Sequence, residues 1–247
     1  MLHETLSSFY LLAGLSPNTQ IYITVDQIET GERARVPKGK ERAEKKELLE
    51  KYIHALYQAY EHEPNIHIIV NAVNLHIGGS FSKAISLLDP RTQFVYQVQQ
   101  DFMFITEINH TAIVKTMREY PDTLRLVSFN KRKNGRNALR KSLCWNQVDA
   151  VNSINGIHFT KTSRWSDNNH FSSVQYYKEI LAMIGSVRRP LEEPMQVAAG
   201  INCSYYGPHY YGKVGDGPHL HHLDGRLGYV VPNSTQSSLV PNSTQPL

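Results

Sequence analysis

Five stretches of this chain carry residue types that can do chemistry. In the apolar run Phe94 to Phe104, FVYQVQQDFMF, one carboxylate, Asp101, follows Gln99 and Gln100. An unpaired carboxylate is costly inside a core. Asp101 is therefore expected where the strand emerges into a crevice, offering an oxygen to a hard divalent cation that also holds a diphosphate. An Asp that caps a short loop is the simpler reading. In RWSDNNHF, residues 164–171, Asp167 is the only carboxylate. At the start of a helix it would be kept ionised and could accept a proton, or it could serve only as a cap. Trp165 just before it and His170 in the first turn make the segment denser in chemistry than a cap requires. His219, His221, His222 and Asp224 fall in the Gly- and Tyr-rich stretch 201–229 and suggest a metal or diphosphate site. Finally, Asp26 ends the β-branched stretch QIYITVDQ, and Gly78-Gly79-Ser80 precede Lys83. Glycines at a strand-to-helix turn allow close approach to a ligand, and Lys83 could meet phosphate. A loop Asp and a plain tight turn fit those residues equally well.

The elements that must position these groups alternate. A helix over 3–14 ends at Gly14, and the strand QIYITVDQ leads to Asp26. Residues 27–40 are polar, and a helix over 41–62 carries Leu48, Leu49, Tyr52, Ile53, Leu56, Tyr57 and Tyr60 on one face. The strand NIHIIVNAV precedes the helix opened by Gly78-Gly79-Ser80. The run 94–104 reads as a strand buried on both faces, in the middle of a mostly parallel sheet. A helix over 110–120 stops at Pro121, and TLRLVSF is the next strand. The basic run NKRKNGRNALRK, 130–141, is a solvated loop or a lip that draws an anionic donor. A short strand over 157–160 and a helix over 168–184 follow. This alternation predicts an α/β fold with a central, mostly parallel sheet flanked by helices, whose ligands bind at the carboxyl ends of the strands. One domain is expected over 1–229. The twice-written VPNSTQ makes 230–247 a flexible tail or a linker to further domains.

Composition narrows the classes. With 40% hydrophobic residues over 247 positions the chain can bury a real core. A net charge of +4 does not by itself imply nucleic acid. No apolar run approaches the roughly 20 residues that span a bilayer. The N-terminus lacks a basic n-region, so it does not read as a signal peptide. Two distant cysteines, Cys144 and Cys203, outside any CxxC pair, are expected as free thiols in a reducing compartment, which places the protein in the cytoplasm. They cannot complete a zinc site with the histidines.

In this order the motifs resemble the sugar-nucleotide-dependent glycosyltransferases of the GT-A fold, with a Rossmann-like core. The resemblance covers nearly all of the chain to about residue 229. It is closest to the small domains of this kind encoded by large DNA viruses of algae. YITVDQ resembles the first nucleotide-binding strand, which puts Asp26 toward uracil or ribose. IGGSFSKAI, with Gly78, Gly79 and Lys83, resembles the next donor-binding turn and helix. VYQVQQDF stands where the family carries its DxD motif, with Gln99 at the first Asp position, Gln100 between and Asp101 as the metal carboxylate. SDNNHF resembles the acceptor-side segment in which inverting members place their base, with Asp167 in that role and Trp165, Asn168 and His170 around the substrate. HLHHLDGR resembles the C-terminal segment whose His completes metal and diphosphate binding, here His222, with Asp224 and Arg226 toward the substrate.

The resemblance implies an inverting transfer of a hexose or pentose to a glycan hydroxyl, as in capsid or surface glycoprotein glycosylation. The donor would be UDP-galactose, UDP-glucose or UDP-xylose, with Mn²⁺ or Mg²⁺ bound by Asp101 and His222. Two other readings compete: a sugar-nucleotide- or carbohydrate-binding module of the same fold without catalysis, and a nucleotidyltransferase. The latter lacks a Gly-rich GxGTRxxP-like loop after the first strand.

Overall fold

The computed structural model describes residues 1–28, 40–134, 151–184 and 190–223. Helix α1 (Leu2–Ala13) closes at Gly14, whose φ of 61° is the left-handed cap conformation that a glycine adopts without a Cβ clash. Strands β1 (Ile21–Val25) and β2 (Ile66–Val70) pair in parallel, with Ile23 opposite Ile68. Between them runs α2 (Lys40–Tyr60), whose Leu49, Ile53, Leu56 and Tyr60 pack on Ile21, Ile23 and Ile66. The parallel pair thus gets the helical crossover it requires. Helix α3 (His76–Ser86) follows.

The larger sheet has the order β3 (Phe94–Gln97), β8 (His170–Ser173), β5 (Leu126–Ser128), β9 (His209–Tyr211), β7 (Ile157–Lys161), β6 (Val151–Ile154). Neighbouring residues of β5 face opposite sides of it, as strand geometry demands. Val127 joins a core with Phe9 and Ala13 of α1 and Ile113 and Met117 of α4 (His110–Glu119). Leu126 joins a second core with Ile85 of α3, with Tyr177 and Ile180 of α5 (Val174–Ile184), and with Met195 of α6 (Glu192–Ile201). The fold is a mixed α/β arrangement with a central sheet and helices on both of its faces.

Strand directions depart from the expected parallel majority. In the six-stranded sheet β5 and β9 run parallel, and the other four pairings are antiparallel. No helix separates β6 from β7, which are neighbours in the sheet, so the chain must reverse between them. That reversal is a two-residue hairpin turn at Asn155-Gly156, both at positive φ, with the sequence NG. The run 94–104 is likewise not one central strand. It divides into β3, at the sheet edge beside β8, and β4 (Phe102–Phe104), which pairs with β10 (Leu220–His222). The break falls at the polar residues Gln99, Gln100 and Asp101, which can find partners only where the chain turns. The expected helix over 168–184 begins as strand β8 and becomes helical at Val174. The loop-like stretch from 201 carries α7 (Cys203–Tyr206), β9 and β10.

Cys203, expected as a free thiol, is buried and disulfide-bonded. Disulfides persist in oxidising surroundings, so the cytoplasmic expectation loses its support. No described helix is long and apolar enough to cross a membrane. Cys144 and the boundary at 229/230 lie outside the described residues.

Candidate active site

Asp101 occupies the turn between β3 and β4, and the pairing of β4 with β10 fixes what faces it. His222 stands opposite Phe102 in register, and their rings stack at 4.2 Å and 7°. The Leu223 N–H donates to the Asp101 carbonyl at 2.8 Å. In consequence His222 Nε2 and Asp101 Oδ2 lie 2.8 Å apart. The Lys131 ammonium lies 4.9 Å from the centroid of the Phe102 ring. These groups, with Arg132, line a crevice of about 440 Å³ whose remaining lining is Gln99, Ser166, Asp167, Asn168 and Glu192.

Asp167 is the most perturbed acid in that crevice. Its side chain is 7% exposed, and Oδ1 has no hydrogen-bond partner. Burial raises its carboxyl to about 7 from an ordinary 3.8, and the Glu192 carboxylate adds to the rise. The Glu192 backbone N–H opposes it by donating to the ionised form. Glu192 opens α6, so Asp167 does sit at a helix N-terminus, but at that of α6 and not of the helix following it in sequence. A carboxyl near 7 changes its proton readily at neutral pH, as a general base must.

A second polar cluster forms at the carboxyl ends of the parallel pair. Asp26 Oδ1, just past β1, accepts from Asn71 Nδ2 at 2.7 Å and from Ser80 Oγ at 2.8 Å. Asn71 Oδ1 in turn accepts from Lys83 Nζ at 3.0 Å. Gly78 and Gly79 are buried inside α3, not in the turn before it, because the helix starts two residues earlier than expected.

Several expected site residues stand elsewhere. Trp165 offers no face to a sugar, because it is wholly buried against Ile85, Leu126 and Tyr177. His170 is wholly buried in β8, where Nδ1 meets the Asn168 carbonyl and Nε2 meets the Tyr177 hydroxyl, and burial lowers it to about 4. Gln100 is exposed, and its carbonyl accepts from Thr5 Oγ1 of α1. His219 Nδ1 meets Thr106 Oγ1, and His221 falls on the other face of β10 from His222. Asp224 and Arg226 lie outside the described residues, as do 135–141 of the basic run. Lys131 and Arg132 from that run do reach the crevice.

No family model matches the chain, and no curated protein matches it. Among solved structures it is similar to a UTP-bound UGPase from Acinetobacter baumannii, at a TM-score of 0.41 and 8% identity, covering 87% of this chain and 75% of that one. It is also similar to a UDP-glucose pyrophosphorylase complexed with UDP-glucose, at a TM-score of 0.38 and 10% identity, covering 87% and 77%. Likenesses of this size decide no activity.

Sequence reasoning missed Glu192 and Asn169. The PLEEP segment, 190–194, signalled a helix start with acids in its first turn, but nothing local linked it to Asp167, 25 positions earlier. Asn169 is buried, accepts from the Gln99 N–H at 2.8 Å and donates to the Phe102 carbonyl at 3.0 Å. Its amide carried no sequence signal of that role.

Proposed function

We propose that this protein is an inverting, metal-dependent glycosyltransferase that moves a hexose or pentose from a UDP-sugar to a glycan hydroxyl. The observation that carries the reading is Asp167, a buried carboxyl near 7 with an unpartnered oxygen, on the same crevice as the Asp101–His222 pair. The GT-A resemblance of the sequence supports the same assignment of roles.

Asp101 and His222 would hold Mn²⁺ or Mg²⁺. Two ligands side by side on an octahedral ion with bonds of ~2.1 Å stand about 3 Å apart, and the pair here is 2.8 Å apart. Among the described residues no group of three or more His, Cys, Asp and Glu could hold a metal. The remaining positions would belong to the donor diphosphate and water, as is usual for Mg²⁺ at phosphate sites. Such an ion supplies electrostatic stabilisation of the departing diphosphate. Lys131 and Arg132 add positive charge at the same place.

Asp26, with Asn71, Ser80 and Lys83, would take the uridine. Asp167 would accept the acceptor hydroxyl proton as that oxygen bonds to the anomeric carbon, while the bond from that carbon to the diphosphate breaks and its electron pair leaves with UDP. One carboxylate on the face away from the diphosphate gives inversion.

The test is incubation with UDP-glucose, UDP-galactose or UDP-xylose and Mn²⁺, with and without glycan acceptors. UDP release and the product anomer are followed by NMR. UDP release with inversion supports the reading. Calorimetric donor binding without release from any donor would leave a binding module and remove the transferase, and pyrophosphate formation would point to nucleotidyl transfer.

A further inference from the structure

Gln99 stands at the position where the resemblance expects the first metal carboxylate, yet its side chain is committed elsewhere. Gln99 Nε2 donates to the main-chain carbonyl of Asp167 at 2.7 Å, and Gln97 Nε2 donates to the same oxygen at 2.8 Å. A carbonyl oxygen has two lone pairs, so the two amides saturate it. Gln97 is held in turn, because its Oε1 accepts from the Tyr177 hydroxyl at 3.3 Å. The Gln99 backbone N–H donates to Asn169 Oδ1, and Asn169 Nδ2 donates to the Phe102 carbonyl. Four hydrogen bonds therefore tie residues 97–102 to residues 167–169. Asp101 lies within the first segment and Asp167 within the second.

We propose that Gln97 and Gln99 are positioning residues, a two-amide clamp that fixes the separation between the cation carboxylate Asp101 and the base Asp167. The proposal rests on the reading of Asp167 as the base and goes beyond it by giving position 99 a role other than cation binding. The chemistry requires an amide there. An Asp at 99 is too short to replace the contact and has no N–H to give, and its ionised oxygens would repel the Asp167 carbonyl. A clamp of this kind acts on geometry in the transition state, where a misplacement of about 1 Å costs on the order of 10²-fold in rate.

The experiment compares Gln99→Ala and Gln99→Asp with the unaltered chain in three measurements: kcat and donor KM, Mn²⁺ affinity by calorimetry, and the titration of the Asp167 carboxyl by carbon-13 NMR, assigned with Asp167→Asn. Gln99 borders the crevice and is half-buried, so both variants are expected to fold. The clamp predicts kcat lower by about 10²-fold in both, with donor KM and Mn²⁺ affinity changed by less than about 2-fold. It also predicts an Asp167 titration moved toward the ordinary carboxylate range as water enters a loosened strap. A Gln99→Asp variant that gains about 10-fold or more in Mn²⁺ affinity places position 99 on the cation, and one that keeps full kcat shows that no amide is needed there; either result overturns the proposal. If the unaltered chain releases no UDP from any donor, the transferase reading fails. The clamp is then judged by titration alone, and an unchanged Asp167 curve in Gln99→Ala removes it.

Discussion

His222 Nε2 lies 2.8 Å from Asp101 Oδ2, although 121 positions separate the two residues. The contact exists because β10 pairs antiparallel with β4 and puts His222 opposite Phe102. Both side chains therefore belong to one rigid edge, and a cation would find them already in place. His222→Ala is expected to weaken Mn²⁺ binding by at least about 10–100-fold, since loss of even a partner that only orients a ligand costs that much, while the melting temperature shifts little. Calorimetry on the chain with UDP checks it. Unchanged Mn²⁺ affinity would move the cation away from this pair.

Asp167→Asn separates chemistry from stability. Loss of a general base lowers kcat by roughly 10²–10⁴. The buried carboxyl is raised to about 7, so its neutral form favours the fold below its unfolded value near 4, and that advantage disappears as pH climbs through 7. Asn mimics the neutral form. The variant should thus be the more stable protein at pH 8, by up to about 4 kcal/mol, and the difference should vanish near pH 4. Urea midpoints at the two values measure this. A variant less stable at pH 8 would contradict the buried-acid account.

Activity and stability should run in opposite directions over the same window. The base must be ionised to act, so kcat/KM should rise as pH passes about 7, while the folded chain becomes less stable there. A pH–rate profile beside a pH–stability profile tests the pair. A rate that is flat from pH 5 to 8 would show that the raised carboxyl is not the group that takes the proton.

At the other cluster, Asp26 accepts from both Asn71 and Ser80. Removing it in Asp26→Ala should weaken UDP binding by roughly 10-fold or more, as expected for a hydrogen bond to a charged group. Mn²⁺ affinity in the absence of nucleotide should not move. Equal loss of both would mean that the substitution disturbs the fold and not the nucleotide.

Reduction tests the covalent tie. Cys203 opens α7, directly after α6, and is disulfide-bonded. Reducing the chain should lower its stability by about 2–5 kcal/mol, read as a shift of the denaturation midpoint. Identical curves with and without reductant would show that the bond is dispensable.

Local patterning carried most of the elements. Helical spacing in α1 and α2, the β-branched runs of β1 and β2, and Pro121 after α4 were legible because each depends on neighbours within a few residues. Two carboxylates could be marked as well, since Asp26 and Asp101 sit where an apolar run gives out, and Asp167 stood out as the one carboxylate of RWSDNNHF. What the sequence could not express was which ends meet. The pairing of β4 with β10, the α6 N-terminus beside Asp167 and the burial of Trp165 and His170 all depend on contacts between distant segments, and side-chain type is silent about those. Gln99 is the clearest instance. By the GT-A resemblance it stands at an Asp position and is a glutamine instead. In the fold its amide donates to the Asp167 carbonyl beside that of Gln97, a contact that an acceptor-only Asp side chain could not make.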